Sequence, residues 1–497
     1  MKVLLSAYAC EPGKGSEPGV GWLWARGLAR LGHEVWVLTR ANNRAPIEAA
    51  APPRPDRLHF LYYDLPAWAR WWKRGGRGVR LYYLLWQWGA YRYAREIHAR
   101  ERFDRVHHVT FVSVRQPSFM GRLGAPFVFG PVAGGERAPW RLRLGCGWRG
   151  FALDALRDVA NALVRIDPLM TATFRAAERI YVTSEQTLAL IPRRYRHKAD
   201  VELAIGWDGE PGAASADGGG DAGAALRVLF VGRLVYWKGL HLGLAAFRRL
   251  LDEEPDARLV VVGDGTDETR LKGLAEALGI AGNVEWVPWL ARDELLACYA
   301  RHDVLLYPSL HDSGAMVVLE ALAAGVPAIC LDLGGPGAIV DETCGRVIAA
   351  GERDAGAVSQ ALGDALIELA GDPVLRNRLA AGAEQRIRAA ACASPVARIY
   401  GSAPGAAGRG DAPGKLGGLS HRRGDAQGTA SGIGSRRMFV RTTQEERAFE
   451  KRETARTRDR KLDSDVIRKV AEDDGYRFKV ALIESALDGE RGWILSV

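Results

Sequence analysis

The sequence lacks any apolar run near the ~20 residues that a membrane-spanning helix needs; its longest runs are broken by Arg or Gly. Cysteine is scarce. The six residues Cys10, Cys146, Cys298, Cys330, Cys344 and Cys392 are scattered, with no CxxC pair. That excludes the usual structural zinc spacing and favours reduced thiols in a cytosolic chain. The opening MKVLLSAYACEPG has one lysine and a short apolar stretch. It reads as a first β-strand, since a secretory signal has a longer apolar region and a small-residue cleavage site. The dinucleotide fingerprint GxGxxG is missing as well: Gly13, Gly15, Gly19 and Gly21 are spaced differently, which disfavours a NAD site. DxD occurs only at Asp463–Asp465, inside a charged tail where a solvated helix surface is the preferred reading. No metal site and no cofactor are expected.

What is present is globular in character. Apolar residues make up 47% and charged residues 26% of the chain. At 497 residues it is too long for a single compact core, so two domains plus extras are expected. Charge is unevenly spread. Residues 1–205 hold 32 Lys+Arg against 17 Asp+Glu (+15), residues 206–400 hold 17 against 27 (−10), and residues 401–497 hold 19 against 15 (+4). A basic half beside an acidic half points to an anionic partner for the first half.

The first unit, 1–205, begins with a strand from Lys2 to Ala9, the loop CEPGKGSEPGVGW, a helix closed by Gly32, and a strand His33–Thr39. Pro18 and Gly32 are the expected start and stop marks of that helix. The loop is either a substrate-covering or anion-binding loop, or a plain tight βα turn; the former is preferred, with Gly15, Ser16 and Glu17 as candidate acceptor contacts. From Tyr62 to Arg105, Trp68, Trp71, Trp72, Trp86 and Trp88 interleave with Arg70, Lys73, Arg74, Arg77, Arg80, Arg92 and Arg95. Such a segment either lies on an anionic bilayer or buries a stripe at Leu81, Leu84, Leu85 and Trp88 with solvated arginines behind it. Membrane contact is preferred, resting on Trp71, Trp72 and the basic cluster after them. Nucleic acid is not expected, because no recognised motif accompanies the basic residues. His107 reads as structural, His108 as a candidate substrate contact, and Glu136 in GPVAGGE as a candidate ligand for acceptor hydroxyls.

Gly209–Gly223 is low-complexity and places a linker at 206–225. Strands at Arg227–Val231, Arg258–Val262, Val284–Val287, Val304–Tyr307 and Ala328–Leu331 then alternate with helices up to residue 400, predicting a second doubly wound parallel sheet. Three stretches stand out here: VLFVGRLVYWKG (Val228–Gly239), HDSGAMVVLEALAAGVP (His311–Pro327) and DLGGPG (Asp332–Gly337). Each reads as a strand end, a small-residue loop, and a helix or turn. Loops at strand C-termini share one crevice. Glycines and helix N-termini there favour phosphate, with Arg233 and Lys238 as cations facing it and Glu320 as an acceptor for hydroxyls. A nucleoside-diphosphate site follows.

With VVGDG (Val261–Gly265) and YPS before the acidic loop, these pieces resemble the retaining GT-B glycosyltransferases, the large group 1 family related to glycogen synthase. The resemblance covers about Met1 to Ile387 and implies two Rossmann-like domains facing across a cleft. It also implies a sugar-nucleotide donor held mainly by the second domain and an acceptor held by the first. Carried over, Arg233 and Lys238 bind the donor diphosphate, Glu320 the ribose, and Gly232, Gly314, Ala315 and Met316 the phosphate or sugar. Two positions depart from the pattern. The family's E-x7-E is D-x7-E here, with Asp312 as the first acid, and the histidine that many members carry on the strand ending FVFGPVAGG is missing.

A double displacement needs a free carboxylate nucleophile, yet Glu320 is committed to the nucleotide in this resemblance. Front-face transfer with retention is therefore preferred, the leaving diphosphate being stabilised by Arg233, Lys238 and helix N-termini without a metal. Asp312, Glu320, Arg233 and Lys238 are the candidate catalytic set. The expected activity moves a sugar onto a glycan or lipid-linked acceptor in polysaccharide or glycolipid assembly, on the inner face of the membrane. A weakened sugar-nucleotide-binding protein and a GT-B sugar-nucleotide epimerase stay as alternatives. The Gly/Ala/Arg-rich and charged tail, 401–497, receives no role.

Overall fold

The computed structural model describes residues 1–14, 16–50, 57–70, 72, 78–111, 113–204, 206, 225–392 and 394–401. The glycine-rich linker and the 401–497 tail therefore lie outside the described residues, except at their edges.

Two parallel sheets carry the fold. The first has β1 (Lys2–Ser6), β2 (Glu34–Arg40), β3 (Leu58–Tyr63), β4 (Arg105–His108), β5 (Phe127–Val132), β6 (Arg179–Val182) and β7 (Ala199–Val201), in the order β3-β2-β1-β4-β5-β6-β7. The second has β8 (Arg227–Val231), β9 (Arg258–Val262), β10 (Val284–Val287), β11 (Val304–Tyr307), β12 (Ala328–Leu331) and β13 (Gly345–Ile348), in the order β10-β9-β8-β11-β12-β13. Every named pairing is parallel, as Lys2 opposite Glu34 and Leu305 opposite Ala328 illustrate. Strands buried on both faces need continuous apolar runs, and VLFV in β8 and VLLY in β11 supply them. Each sheet reverses its winding once, at β1/β4 and at β8/β11. At such a switch point the loops part and leave a crevice at the strand C-termini.

Seven helices matter for the site: α1 (Ser16–Arg30), α2 (Val79–Glu101), α3 (Gly147–Leu163), α4 (Leu240–Glu253), α5 (Arg292–Tyr299), α6 (Met316–Ala323) and α7 (Pro395–Tyr400). The five strands expected in the second domain form with the expected bounds, and β13 adds a sixth. Lys2–Ala9 was expected as one strand, but β1 ends at Ser6 and Ala7 turns to bond the carbonyl of Leu38.

Glycines explain how the chain enters α1. A Cβ on Gly19 would lie 2.2 Å from the Lys14 carbonyl oxygen, and one on Gly21 would lie 2.1 Å from that of Ala9. Those two glycines let helix and loop backbones touch, which is the tight βα turn rather than an open anion cradle.

The last helix belongs spatially with the first sheet. α7 lays Val396 against Gly27 of α1, where a Cβ would sit 3.0 Å from Val396. Its Tyr400 hydroxyl is 3.0 Å from Nδ1 of buried His107, whose Nε2 lies 2.6 Å from the Gly130 carbonyl oxygen. His107 is thus the structural pin expected of it. A chain that leaves the second domain and returns to the first ties the two together through Tyr400 and through the Arg398–Glu202 ion pair.

Candidate active site

The second sheet's switch point gathers the three singled-out stretches. The loop after β8 runs back to back with the loop after β9: a Cβ on Gly263 (φ +135°) would lie 2.1 Å from the Gly232 carbonyl oxygen. The loop after β11 joins them, with the Leu310 N–H donating to the Trp237 carbonyl at 2.8 Å. The DLGGPG stretch closes the set, where the Gly335 N–H donates to the Asp312 carbonyl at 2.8 Å. Gly334 takes φ +62°, and any Cβ there would meet that same carbonyl oxygen at 2.2 Å.

Arg233 is exposed and lies over the Trp237 ring, 5.7 Å from its centroid. Lys238 is half-buried, with Nζ donating to Asp312 Oδ2 at 2.6 Å and to the Tyr307 hydroxyl. The Tyr307 hydroxyl itself donates to the same Oδ2. The other oxygen of Asp312 accepts the N–H groups of Gly314 (3.0 Å) and Ala315 (2.9 Å) at the start of α6. Burial alone would raise the Asp312 carboxyl, but the Lys238 charge, Tyr307 and the Ala315 N–H outweigh it and hold the group below the usual carboxylate value. Asp312 thus takes the place an anion would occupy at that helix N-terminus, and two of the amides expected to meet the donor are bonded to it.

Glu320 is buried on α6. It accepts from the Tyr299 hydroxyl of α5 at 3.2 Å and stands 3.9 Å from Arg292. Burial raises its carboxyl above the ordinary value, against the pull of Arg292 and Tyr299. Met316 opens α6, half-buried, beside the same loop.

The acceptor-side expectations fare differently. Gly15 lies outside the described residues, as does the side chain of Ser16. Glu17 stands in the first turn of α1, where its charge acts on Tyr8 and Tyr83. His108, expected to touch substrate, is a core residue instead: it is 1% exposed, its Nε2 sits 3.2 Å from the Tyr83 hydroxyl, and burial pushes its pKa down to about 3. Glu136 was expected to bind acceptor hydroxyls. It is buried and accepts from Thr183, Ser184, Thr187 and the Gly134 N–H at 2.9–3.2 Å. Its roughly four lone-pair sites are used in holding the loop after β5.

A group absent from the sequence reading joins the domains. Asp154 of α3, almost wholly buried, accepts from the Tyr236 hydroxyl at 2.9 Å and lies 3.0 Å from His311 Nε2. Arg143 stands 3.7 Å away on the other side. Burial would raise the Asp154 carboxyl, yet His311, Tyr236 and Arg143 hold it below its usual value. Tyr236 neighbours Lys238 through Trp237, and His311 precedes Asp312, so one first-domain carboxylate fastens the loops after β8 and β11. Separations of 82 and 157 residues leave no sequence signal for it.

Residues 222–386 match the family described as Glycosyl transferases group 1. A segment of 162 residues is 33% identical to a glycogen synthase of Mycobacterium tuberculosis, covering 32% of this chain and 38% of that protein. Another, of 173 residues, is 31% identical to a D-inositol 3-phosphate glycosyltransferase of Segniliparus rotundus, covering 34% and 37%. The matched segments thus span well under half of these relatives. In fold, 80% of the chain superposes on all of WaaG, a glycosyltransferase involved in lipopolysaccharide biosynthesis, at TM-score 0.51 and 19% identity. The sucrose-phosphate synthase of Thermosynechococcus elongatus superposes over 80% of this chain and 97% of its own, at TM-score 0.55 and 17% identity. At those identities the likeness concerns the fold alone. Residues 222–386 are thus similar to the group 1 glycosyltransferases, and they are set in a pair of parallel α/β domains of GT-B type.

Proposed function

We propose that this protein transfers a sugar, with retention of configuration, from a nucleoside-diphosphate donor to a glycan or lipid-linked acceptor, in polysaccharide or glycolipid assembly. What carries the reading is that the loop bearing Arg233 and Lys238 is joined to the start of α6 at the second sheet's switch point, through Lys238 on Asp312 and Asp312 on the Ala315 N–H, with Glu320 further along α6. In this reading Arg233 grips the diphosphate through its fork, Lys238 adds a point charge, and Glu320 takes the ribose hydroxyls. The sugar C1–O bond to the diphosphate breaks as the acceptor oxygen bonds C1 on the same face, and the acceptor proton passes to the departing phosphate oxygen. Arg233 and Lys238 neutralise the growing charge. Two facts favour this route over double displacement. Asp312 is spent on Lys238 and α6, and Glu320 is assigned in this reading to the ribose, so neither carboxylate serves as the nucleophile.

The commitment of Asp312 also favours a second reading, a sugar-nucleotide-binding protein without transfer. Incubation with a panel of sugar nucleotides separates the readings. Release of nucleoside diphosphate that is lost in Arg233→Ala, with the anomeric configuration kept, supports transfer; an isomerised donor with no release means epimerase, and binding without turnover means the binding protein.

We also place the acceptor at an anionic membrane surface on the cytoplasmic side. Trp71, Lys73, Arg74 and Arg77 lie outside the described residues, while Trp72 packs half-buried and Trp86 is in the core. Support comes from elsewhere. Phe151, Val159, Leu163 and Ile166, on and just past α3, stand exposed at helical spacing, Ile166 by 75%. Trp140 and Leu144, shortly before α3, are exposed as well, and the first 205 residues carry the +15 charge. Among the described residues no helix is long and apolar enough to cross a membrane. Binding to anionic vesicles that survives Val159→Glu with Ile166→Glu would count against this surface.

A further inference from the structure

We propose that Arg80, Arg115 and Arg157 form an anion subsite on the first domain that takes a phosphate ester carried by the acceptor. The proposal rests on the transferase reading, which leaves the acceptor's chemistry open. All three sit at the C-terminal edge of the first sheet: Arg115 on the loop after β4, Arg157 on α3, and Arg80 in the first turn of α2. The loop after β5 is their common floor. Arg115 donates to Asn161 Oδ1 at 3.1 Å, and Asn161 donates to the Gly134 carbonyl at 3.0 Å. Arg157 donates to the same carbonyl at 3.5 Å. Gly134 takes φ +105°, and a Cβ there would stand 3.9 Å from the Arg115 guanidinium and 3.7 Å from Ser113 Oγ. The Gly134 backbone therefore lies in van der Waals reach of the Arg115 guanidinium and Ser113 Oγ, and its carbonyl is held by Asn161 and Arg157.

Charge there is unbalanced. Glu136 is the carboxylate within reach, 3.5 Å from Arg157, and its oxygens already accept from Thr183, Ser184, Thr187 and Gly134. Asp158, one residue along α3, is taken by Arg137 and Arg143. Among the described residues Arg80 makes no hydrogen bond or ion pair, and Arg157 Nε is buried without a partner. The cost shows in the protons. Burial first, then Arg157 and Arg80, push the Arg115 pKa down to about 10 against the pull of Glu136. Three cations held this close, with Glu136 as the carboxylate beside them, repel one another. A bound anion with several acceptor oxygens removes that repulsion and fits the bidentate fork of arginine.

The position suits an acceptor. Arg157 lies about 4.5 Å along α3 from Asp154, the residue bonded to Tyr236 and His311, and its charge acts on Tyr236. An anion over Gly134 therefore stands on the first-domain side of the donor loops. The donor diphosphate has its own cations, Arg233 and Lys238, in the second domain, so the first-domain cluster answers to a different anion.

The test is calorimetric titration of glycerol phosphate, and separately of phosphatidylglycerol vesicles, into protein saturated with the nucleoside diphosphate it binds. Wild type is compared with Arg80→Ala, an exposed residue whose loss does not threaten the fold, and with Arg115→Gln. Tenfold or greater weakening of glycerol phosphate in both variants, with nucleotide affinity unchanged, supports the subsite and a soluble phosphate ester. The same weakening seen with vesicles alone supports it with a lipid headgroup as the source. Equal binding in wild type and variants, no binding of either probe, or displacement of glycerol phosphate by the nucleotide overturns it. Should no nucleotide bind, the donor reading fails by itself, and the titrations run without nucleotide still decide the subsite.

Discussion

Asp312 shows how one shortened side chain redirects a site. It neutralises Lys238, accepts from Tyr307 and caps α6 at once. Removing one partner of a buried pair leaves the other charge desolvated, at about 3–5 kcal/mol. Asp312→Ala is therefore expected to lower stability by about 3 kcal/mol in urea denaturation. Adding Lys238→Met should recover part of that loss, because the stranded ammonium is gone; strictly additive losses would mean that the pair is not coupled. The motif D-x7-E was legible in the sequence, but its partners were not. The hydroxyl of Tyr307 reaches Asp312 because β11 ends where its loop turns back. His108 and Glu136 were misplaced for the complementary reason: their residue types suggest chemistry, while their burial is decided by elements far away in the chain.

At the scale of elements, helix α3 does two jobs. One side carries Asp154 to the loops after β8 and β11, and the opposite side shows Val159 and Leu163 to solvent. The sequence reading left this apolar face unremarked, since such a face normally points into a core, and only the fold shows this one outside. Asp154→Ala unfastens Tyr236 and His311 together. It is expected to weaken nucleotide binding several-fold and to speed proteolysis between the domains, with each domain's own core intact. Unchanged affinity and proteolysis would show that α3 merely lies alongside. The strands of the second domain were legible to the residue, since VLFV, RLVVV and VLLY leave no alternative to buried parallel strands. β13 was missed because GRVI is short and only half-buried.

The whole molecule should be sensitive to mild acid. Burial pushes His107 and His241 down to about 4 and His108 to about 3. The unfolded chain binds a proton at each near pH 6.5, so the unfolded state holds more protons between about pH 6 and 4. Stability then falls as pH falls through that window, by up to about 4 kcal/mol per pH unit when all three differ. Asp154 and Asp312, held below their usual values, lose their contribution only under more acidic conditions, as pH drops through their folded values. Urea midpoints at pH 7 and pH 5 check this, and equal midpoints would contradict it. The two parallel sheets were readable from the alternation of strands and helices and from motif order. The bolts between domains, Tyr400 on His107 and Asp154 on His311, join residues too distant in sequence for any local pattern to reveal.

The most direct measurement is calorimetric titration of UDP, GDP and ADP into the wild-type protein and Arg233→Ala. Arg233 is exposed and stacked on Trp237, so its removal does not disturb the core as loss of Lys238 would. The account predicts that one of the three nucleotides binds, and that Arg233→Ala weakens it about tenfold or more, the ~1.4 kcal/mol expected of a lost charge-assisted contact. Binding that ignores Arg233, or no binding by any of the three, would contradict it.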